Sequence, residues 1–252
     1  MKILRGTYRA LAFFLGGGWM MLRIAFMTML KGPDLQRSLR YRLHFLRWLI
    51  PTLGVRIEYY GEFPREAGLL MCNHRSYFDP IPVLRHVWAV PVGKASISKW
   101  PIIGVGAKMS GVVYVDRSTQ EGRKAAREEI NDLLTKGFSI LIYPEGTIYP
   151  GPELGELKMG MFRDAAKNGY AIHPVALEYK HALDAWRGGI SFVKHFYTRF
   201  GKKSVYIKVA FGEPLRSEDP EELASRFLHF NEAAIKEMRE GWYIPYPKEE
   251  IT

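Results

Sequence analysis

Two short segments of this 252-residue chain carry side chains whose types and spacing suit proton transfer beside a polar ligand. The first is Asn73-His-Arg-Ser-Tyr-Phe-Asp79. If the chain turns after His74 and enters a helix near Ser76–Asp79, the Asp79 carboxylate can fold back onto the imidazole. An aspartate on one ring nitrogen fixes the tautomer and raises the basicity of the other, which can then take a proton from a hydroxyl nucleophile. The plainer alternative, Asp79 capping a helix next to a core histidine, outweighs it for a histidine taken alone. The second segment is Tyr143-Pro-Glu-Gly-Thr147. Gly146 lets backbone approach a ligand closely, and Glu145 and Thr147 can bond a polyol or a phosphate. An ordinary turn uses the same proline and glycine.

Both segments need a frame, and from about residue 55 short β-branched or apolar runs alternate with helical stretches. The expected strands are Val55–Tyr60, Gly68–Cys72, Val87–Gly93, Gly111–Val115, Ser139–Tyr143, Ala171–Glu178 and Ser204–Phe211. A helix is expected over Thr119–Lys136, with Ser118 and Glu121 as a capping box and Gly137 as its stop. Two more are expected, around Lys158–Asn168 and from Pro220 to about Met238. The fold class is therefore α/β, a largely parallel sheet flanked by helices. In such sheets ligands gather at the carboxyl ends of strands, and Asn73-His74, Asp116-Arg117 and Pro144–Thr147 each follow an apolar run directly.

The lone Cys72 excludes an intramolecular disulfide framework and a multi-cysteine zinc site, and a reducing setting is the default. As the end of an apolar run Cys72 reads as buried rather than as a nucleophile. Residues 1–50 carry nine Lys or Arg against one acid, which supplies most of the formal net charge of +10. The same stretch holds the run Ala10–Leu22, interrupted by Arg23 and resumed to Leu30, borderline for the about 20 apolar residues of a span, which stays the alternative to a surface helix. Arginines beside aromatics and leucines suit an interfacial helix, with the arginines meeting lipid phosphates. Gly32-Pro33 divides the segment into a helical hairpin, roughly 3–30 and 35–51, preceding the sheet. The expected organisation is a membrane-associating, amphipathic and apolar hairpin over 1–52 and a catalytic domain over 53–252. Nucleic acid is not an expected partner, because the basic excess is confined to this apolar-rich segment rather than spread along a groove.

Asn-His-x4-Asp at 73–79 followed by Pro-Glu-Gly-Thr at 144–147 resembles the lysophosphatidic acid acyltransferase family of glycerolipid synthesis. Lys94, Pro101, Gly104 and Gly111-Val-Val-Tyr-Val-Asp-Arg117 are similar to its second block, Lys158-Met-Gly160 to the stretch after the turn, and His173-Pro-Val-Ala-Leu177 to its fourth block. The resemblance implies His74 as general base, Asp79 as its orienting partner, Arg117 holding the acceptor head group, and Glu145, Gly146 and Thr147 lining that pocket. It implies an acyl carrier protein or coenzyme A thioester as donor, no metal and no further cofactor, a lyso-lipid acceptor, and work at the cytoplasmic face of the cell membrane as a peripheral or monotopic protein. The expected product is phosphatidic acid from 1-acylglycerol-3-phosphate. One departure favours an alternative. The family usually has an arginine directly after Glu-Gly-Thr, and here that position is Ile148. Arg117 and Lys158 remain to hold a phosphate, and a lyso-aminolipid with an amino-acid head group becomes the alternative acceptor.

Two other classes compete. A non-catalytic membrane binder would need only the hairpin. A hydrolase using His74 and Asp79 on water would share the site, although the chain has no Gly-x-Ser-x-Gly elbow. The remaining histidines read as structural or surface residues, Met159, Met161 and Phe162 as core-facing, and Lys194–Lys203 as a solvated basic loop.

Overall fold

The structure, a computed structural model, describes residues 1–99, 103–149, 151, 153–186 and 189–246. Pro101, Pro150 and the last six residues therefore lie outside the described residues. All seven expected strands form: β1 Val55–Tyr60, β2 Leu69–Cys72, β3 Ala89–Lys94, β4 Val113–Val115, β5 Ser139–Ile142, β6 Ile172–Tyr179 and β7 Val205–Phe211. They build one sheet in the order β1-β7-β6-β2-β5-β3-β4. From β6 to β4 every pairing is parallel, as is β1 with β7, while β7 runs antiparallel to β6.

The central strands are buried at nearly every position because helices cover both faces. Alternation divides them: Leu70 and Cys72 join one apolar cluster with Leu49, Ile50 and Phe200, whereas Leu69 and Met71 join the other with Ile130, Phe162 and Phe227. The helices are α1 Lys2–Lys31, α2 Leu35–Thr52, α3 Pro80–Val83, α4 Ile103–Met109, α5 Gln120–Thr135, α6 Gly160–Asn168, α7 Phe192–Phe200 and α8 Pro220–Arg239. Helices α2 and α7 back the first cluster, and α5, α6 and α8 the second.

Three local expectations shift. The cap of α5 is Thr119, whose hydroxyl accepts from Gly122 N–H, because the Ser118 hydroxyl donates to Asp116 instead. Helix α6 starts at Gly160, leaving Lys158 in the preceding loop. Most of the expected basic loop Lys194–Lys203 is helix α7: Ser191 caps it, and the Phe192, Phe196 and Phe200 face gives the segment a stripe to bury.

The N-terminal hairpin forms, broken at Gly32 (φ 76°) and restarted by the Asp34 side chain accepting from Arg37 N–H. Its arginines depart most from expectation. Arg9 is buried and donates to the carbonyls of Phe200, Lys202 and Lys203, and Arg5 to that of Gly201, so both close the carboxyl end of α7. Arg42 donates to the carbonyls of Ala89 and Ser110, and burial pulls its guanidinium down to about 10. Orphan carbonyls at helix and strand ends need donors, and these arginines supply them instead of facing lipid.

Candidate active site

Because the strands from β6 to β4 run the same way, the segments after β2, β5 and β4 emerge on one edge of the sheet. Asn73 fixes the first. Its amide donates to the Leu177 carbonyl at 2.9 Å and its carbonyl accepts from Leu177 N–H at 2.7 Å, tying the end of β2 to β6. The chain then turns, and α3 begins only at Pro80.

The Asp79 side chain makes no capping bond to α3, which removes the plain alternative. Its Oδ2 instead accepts from His74 Nδ1 at 2.8 Å, Arg75 N–H at 2.6 Å and Ser76 N–H at 2.7 Å, and its Oδ1 from the Tyr179 hydroxyl at 2.7 Å. Four donors on one fully buried carboxylate hold it in an accepting role and place the imidazole proton on Nδ1, leaving Nε2 as the basic nitrogen. His74 keeps 17% of its side chain exposed, so the ring reaches the edge of the protein while its partner does not. The Tyr143 ring stacks on it, centroids 4.0 Å apart and planes 19° from parallel. Burial pushes the phenols of Tyr143 and Tyr179 well above their ordinary range, so both stay neutral beside Asp79. Burial does the same to the Cys72 thiol, which leaves it a poor nucleophile.

The Glu-Gly-Thr turn meets this segment from β5. Glu145 Oε1 accepts from His74 N–H at 3.0 Å and Oε2 from Gly155 N–H at 3.2 Å. Burial raises its pKa, an effect opposed by those two donors and by the Arg75 charge. Both carboxylate oxygens thus hold the backbone of the site. Gly146 has φ +71°, a conformation strained for any side chain, and packs near Lys158. Thr147 is exposed. Lys158 anchors to the Pro144 carbonyl through its backbone and pairs its ammonium with Glu156 at 2.9 Å.

Arg117 stands apart. It follows β4, three strands from β2, about 14 Å at ordinary strand spacing. The residue is exposed by surface area, yet partial burial of its guanidinium lowers the pKa, and among the described residues no acceptor meets it. The structure thus brings His74, Asp79, Glu145, Gly146 and Lys158 together and leaves Arg117 at the far end of one edge. That separation suits a ligand with a reacting hydroxyl at one end and an anionic group at the other.

An acyltransferase family model matches residues 55–178, which contain both motif segments and Arg117. Lyso-ornithine lipid O-acyltransferases of Rhizobium meliloti and Pseudomonas aeruginosa are 28% and 29% identical to this chain. The alignments cover 68% and 82% of it, and 65% and 81% of those proteins, just under two thirds of the first. The matched segment, residues 55–178, belongs to the acyltransferase family. A chloroplastic 1-acyl-sn-glycerol-3-phosphate acyltransferase of Arabidopsis thaliana is 31% identical over 51% of this acyltransferase and 37% of its own length. The fold is shared with the 1-acyl-sn-glycerophosphate acyltransferase PlsC of Thermotoga maritima, at a TM-score of 0.72 and 18% identity over 94% of this acyltransferase and 95% of that chain.

Several residues that build the site were not singled out by sequence. Tyr179 and Glu178 look like ordinary members of a buried strand, Tyr143 like the last residue of another, and Arg75 like a filler between His74 and Asp79. Only the identity of Arg75 offered a clue, since a cation directly after a buried strand must find acceptors.

Proposed function

We propose that this acyltransferase moves a fatty acyl group from a thioester of acyl carrier protein or coenzyme A to the hydroxyl of a lyso-lipid, at the cytoplasmic face of a membrane. The observation that carries the reaction is the His74–Asp79 pair, with Nδ1 committed to Asp79 and Nε2 at the exposed edge. Nε2 takes the acceptor hydroxyl proton as the oxygen attacks the thioester carbonyl. The tetrahedral intermediate collapses with loss of thiolate, and the imidazolium returns the proton to that sulfur. No covalent bond to the enzyme forms at any step.

The membrane reading rests on α1. Leu4, Tyr8, Leu11, Leu15, Trp19, Leu22, Phe26 and Met29 recur every three or four residues on its outer face, all exposed. Eight outward apolar side chains on one stripe need an apolar medium. The inner face is fixed to the same body near its start and again two thirds along: Arg5 and Arg9 bind the α7 end, and Met21 packs beside Gly106 of α4. A helix pinned along its length in this way lies flat on the bilayer rather than crossing it.

For the acceptor, Ile148 and the lyso-ornithine lipid relatives support a lyso-aminolipid. An amino-acid head group carries a carboxylate for Arg117 and an amine that benefits from the missing arginine at 148. The Arg117 guanidinium, which meets no acceptor among the described residues, serves the phosphate of 1-acylglycerol-3-phosphate equally, which keeps that acceptor as the second reading. Purified protein given one acyl thioester and each lyso-lipid separates them. Preferred acylation of lyso-ornithine lipid is expected, and selective turnover of lysophosphatidic acid would overturn the choice.

A further inference from the structure

Among its described residues the loop after the Glu-Gly-Thr turn has no helix or strand until α6, yet it meets the His74 segment. Tyr149 N–H donates to the His74 carbonyl at 2.8 Å. The same loop is held from beneath by Arg75, which is 2% exposed. One guanidinium nitrogen of Arg75 faces the carbonyls of Tyr149 at 3.1 Å, Gly151 at 2.5 Å and Glu153 at 2.9 Å. Two protons on that nitrogen serve three acceptors, so the bonds are shared. A second nitrogen lies 3.9 Å from Glu178, whose carboxylate Arg239 also holds.

This arrangement exceeds what packing requires. A buried cation is costly unless its donors are well used, and an apolar side chain of similar size fills a core position at lower cost. Here one fork gathers carbonyls from three alternate residues of a loop with no ladder of its own. The backbone of Arg75 is tied to the catalytic pair as well, because its N–H donates to Asp79 Oδ2 at 2.6 Å and its carbonyl accepts from Trp186 N–H at 3.0 Å.

We propose that Arg75 is a positioning residue that fixes the acceptor end of the site. It holds Tyr149, Gly151 and Glu153 against the His74 segment, so that Thr147 and Ile148 stand as a fixed wall beside the imidazole. It touches no substrate. The role rests on the transfer reading above, and it locates acceptor recognition partly in a buried residue far less conspicuous than the exposed cations.

Arg75→Lys tests this, since an ammonium keeps the charge but sits closer to the backbone than the guanidinium nitrogen that meets all three carbonyls. On vesicles with saturating thioester, the acceptor KM should rise about tenfold while the thioester KM changes less than about twofold. Hydrogen exchange of the 148–155 amides should accelerate about tenfold with β2 and β5 protection retained. Unchanged loop exchange, an unchanged acceptor KM, or a parallel rise in both KM values would overturn the role. If Arg75→Lys does not fold, Gly155→Ala displaces the loop from its other side, because a Cβ there meets Glu145 Oε2 and the Tyr149 ring at 3.1 Å. The same split in KM is expected of it, and its absence counts against the proposal. A wild-type protein that acylates no lyso-lipid would refute the reaction reading, while the exchange arm still decides the loop claim.

Discussion

At the residue scale the site depends on how one carboxylate is shared. Asp79 accepts four hydrogen bonds, and an asparagine there offers one oxygen and two unwanted donors. Asp79→Asn should lower kcat about 10³-fold and cost about 3 kcal/mol of stability, read by steady-state kinetics and urea melts. Tyr143 should separate its two parts differently. Its ring stacks on His74, but its hydroxyl is buried and meets no partner among the described residues. Tyr143→Phe should therefore keep kcat within about twofold and raise stability by about 1 kcal/mol. A large loss of activity would mean that the hydroxyl, not the ring, matters. The His74–Asp79 pair was legible in sequence because its contact is local, five residues within one turn. Tyr179, Tyr143 and Glu178 reach the same site across neighbouring strands, and no linear spacing reports which strands are neighbours. For Glu145 the motif was legible and the geometry was not: its oxygens hold His74 and Gly155 N–H groups.

At the element scale two helices outside the sheet make testable demands. Leu15 and Leu22 of α1 are 71% and 66% exposed. Leu15→Glu with Leu22→Glu should leave the melting temperature unchanged and weaken vesicle binding about 100-fold or more. Unaltered sedimentation with vesicles would contradict the flat-lying helix. Helix α7 is docked through His195, whose Nε2–H donates to the Ala185 carbonyl at 3.2 Å while Nδ1 accepts from the Tyr77 hydroxyl at 3.0 Å. Burial pulls its pKa down to about 4. The unfolded chain takes up this proton near pH 6.5 and the folded chain does not, so the contribution is complete above 6.5 and falls away as pH drops towards 4. At about 1.4 kcal/mol per pH unit the loss approaches 3 kcal/mol, and His195→Gln should flatten that limb in urea melts at pH 7, 5 and 4. The strands and the longer helices were readable from periodicity and caps. Helix α7 was missed because its basic residues dominate the linear reading, and its apolar stripe gains meaning only once Tyr77 and α1 lie against it. Arg9 and Arg42 misled for a related reason, since charge in sequence does not say whether carbonyls or lipid will meet it.

At the scale of the whole molecule, the parallel run from β6 to β4 sets the chemistry. It brings His74, the Glu-Gly-Thr turn and Arg117 to one edge and spreads them along it, with the His74–Asp79 pair near the middle and the Arg117 cation at the far end. The hairpin adds an exposed apolar stripe to the same body, and on the proposed function a lipid hydroxyl and a thioester would meet there without the acceptor leaving the bilayer. Strand order was not readable from the sequence, because the alternation of strands and helices is satisfied by several orders. The measurement that bears most directly on the account compares wild type with His74→Ala on vesicles containing a lyso-lipid acceptor and an acyl thioester, following free thiol, acylated lipid and free fatty acid together. The account predicts equal amounts of thiol and acylated lipid from the wild type, and a fall of about 10³-fold or more in both for the variant with vesicle binding unchanged. Acylated lipid formed by His74→Ala at the wild-type rate, or thiol release matched by free fatty acid instead of acylated lipid, would contradict it.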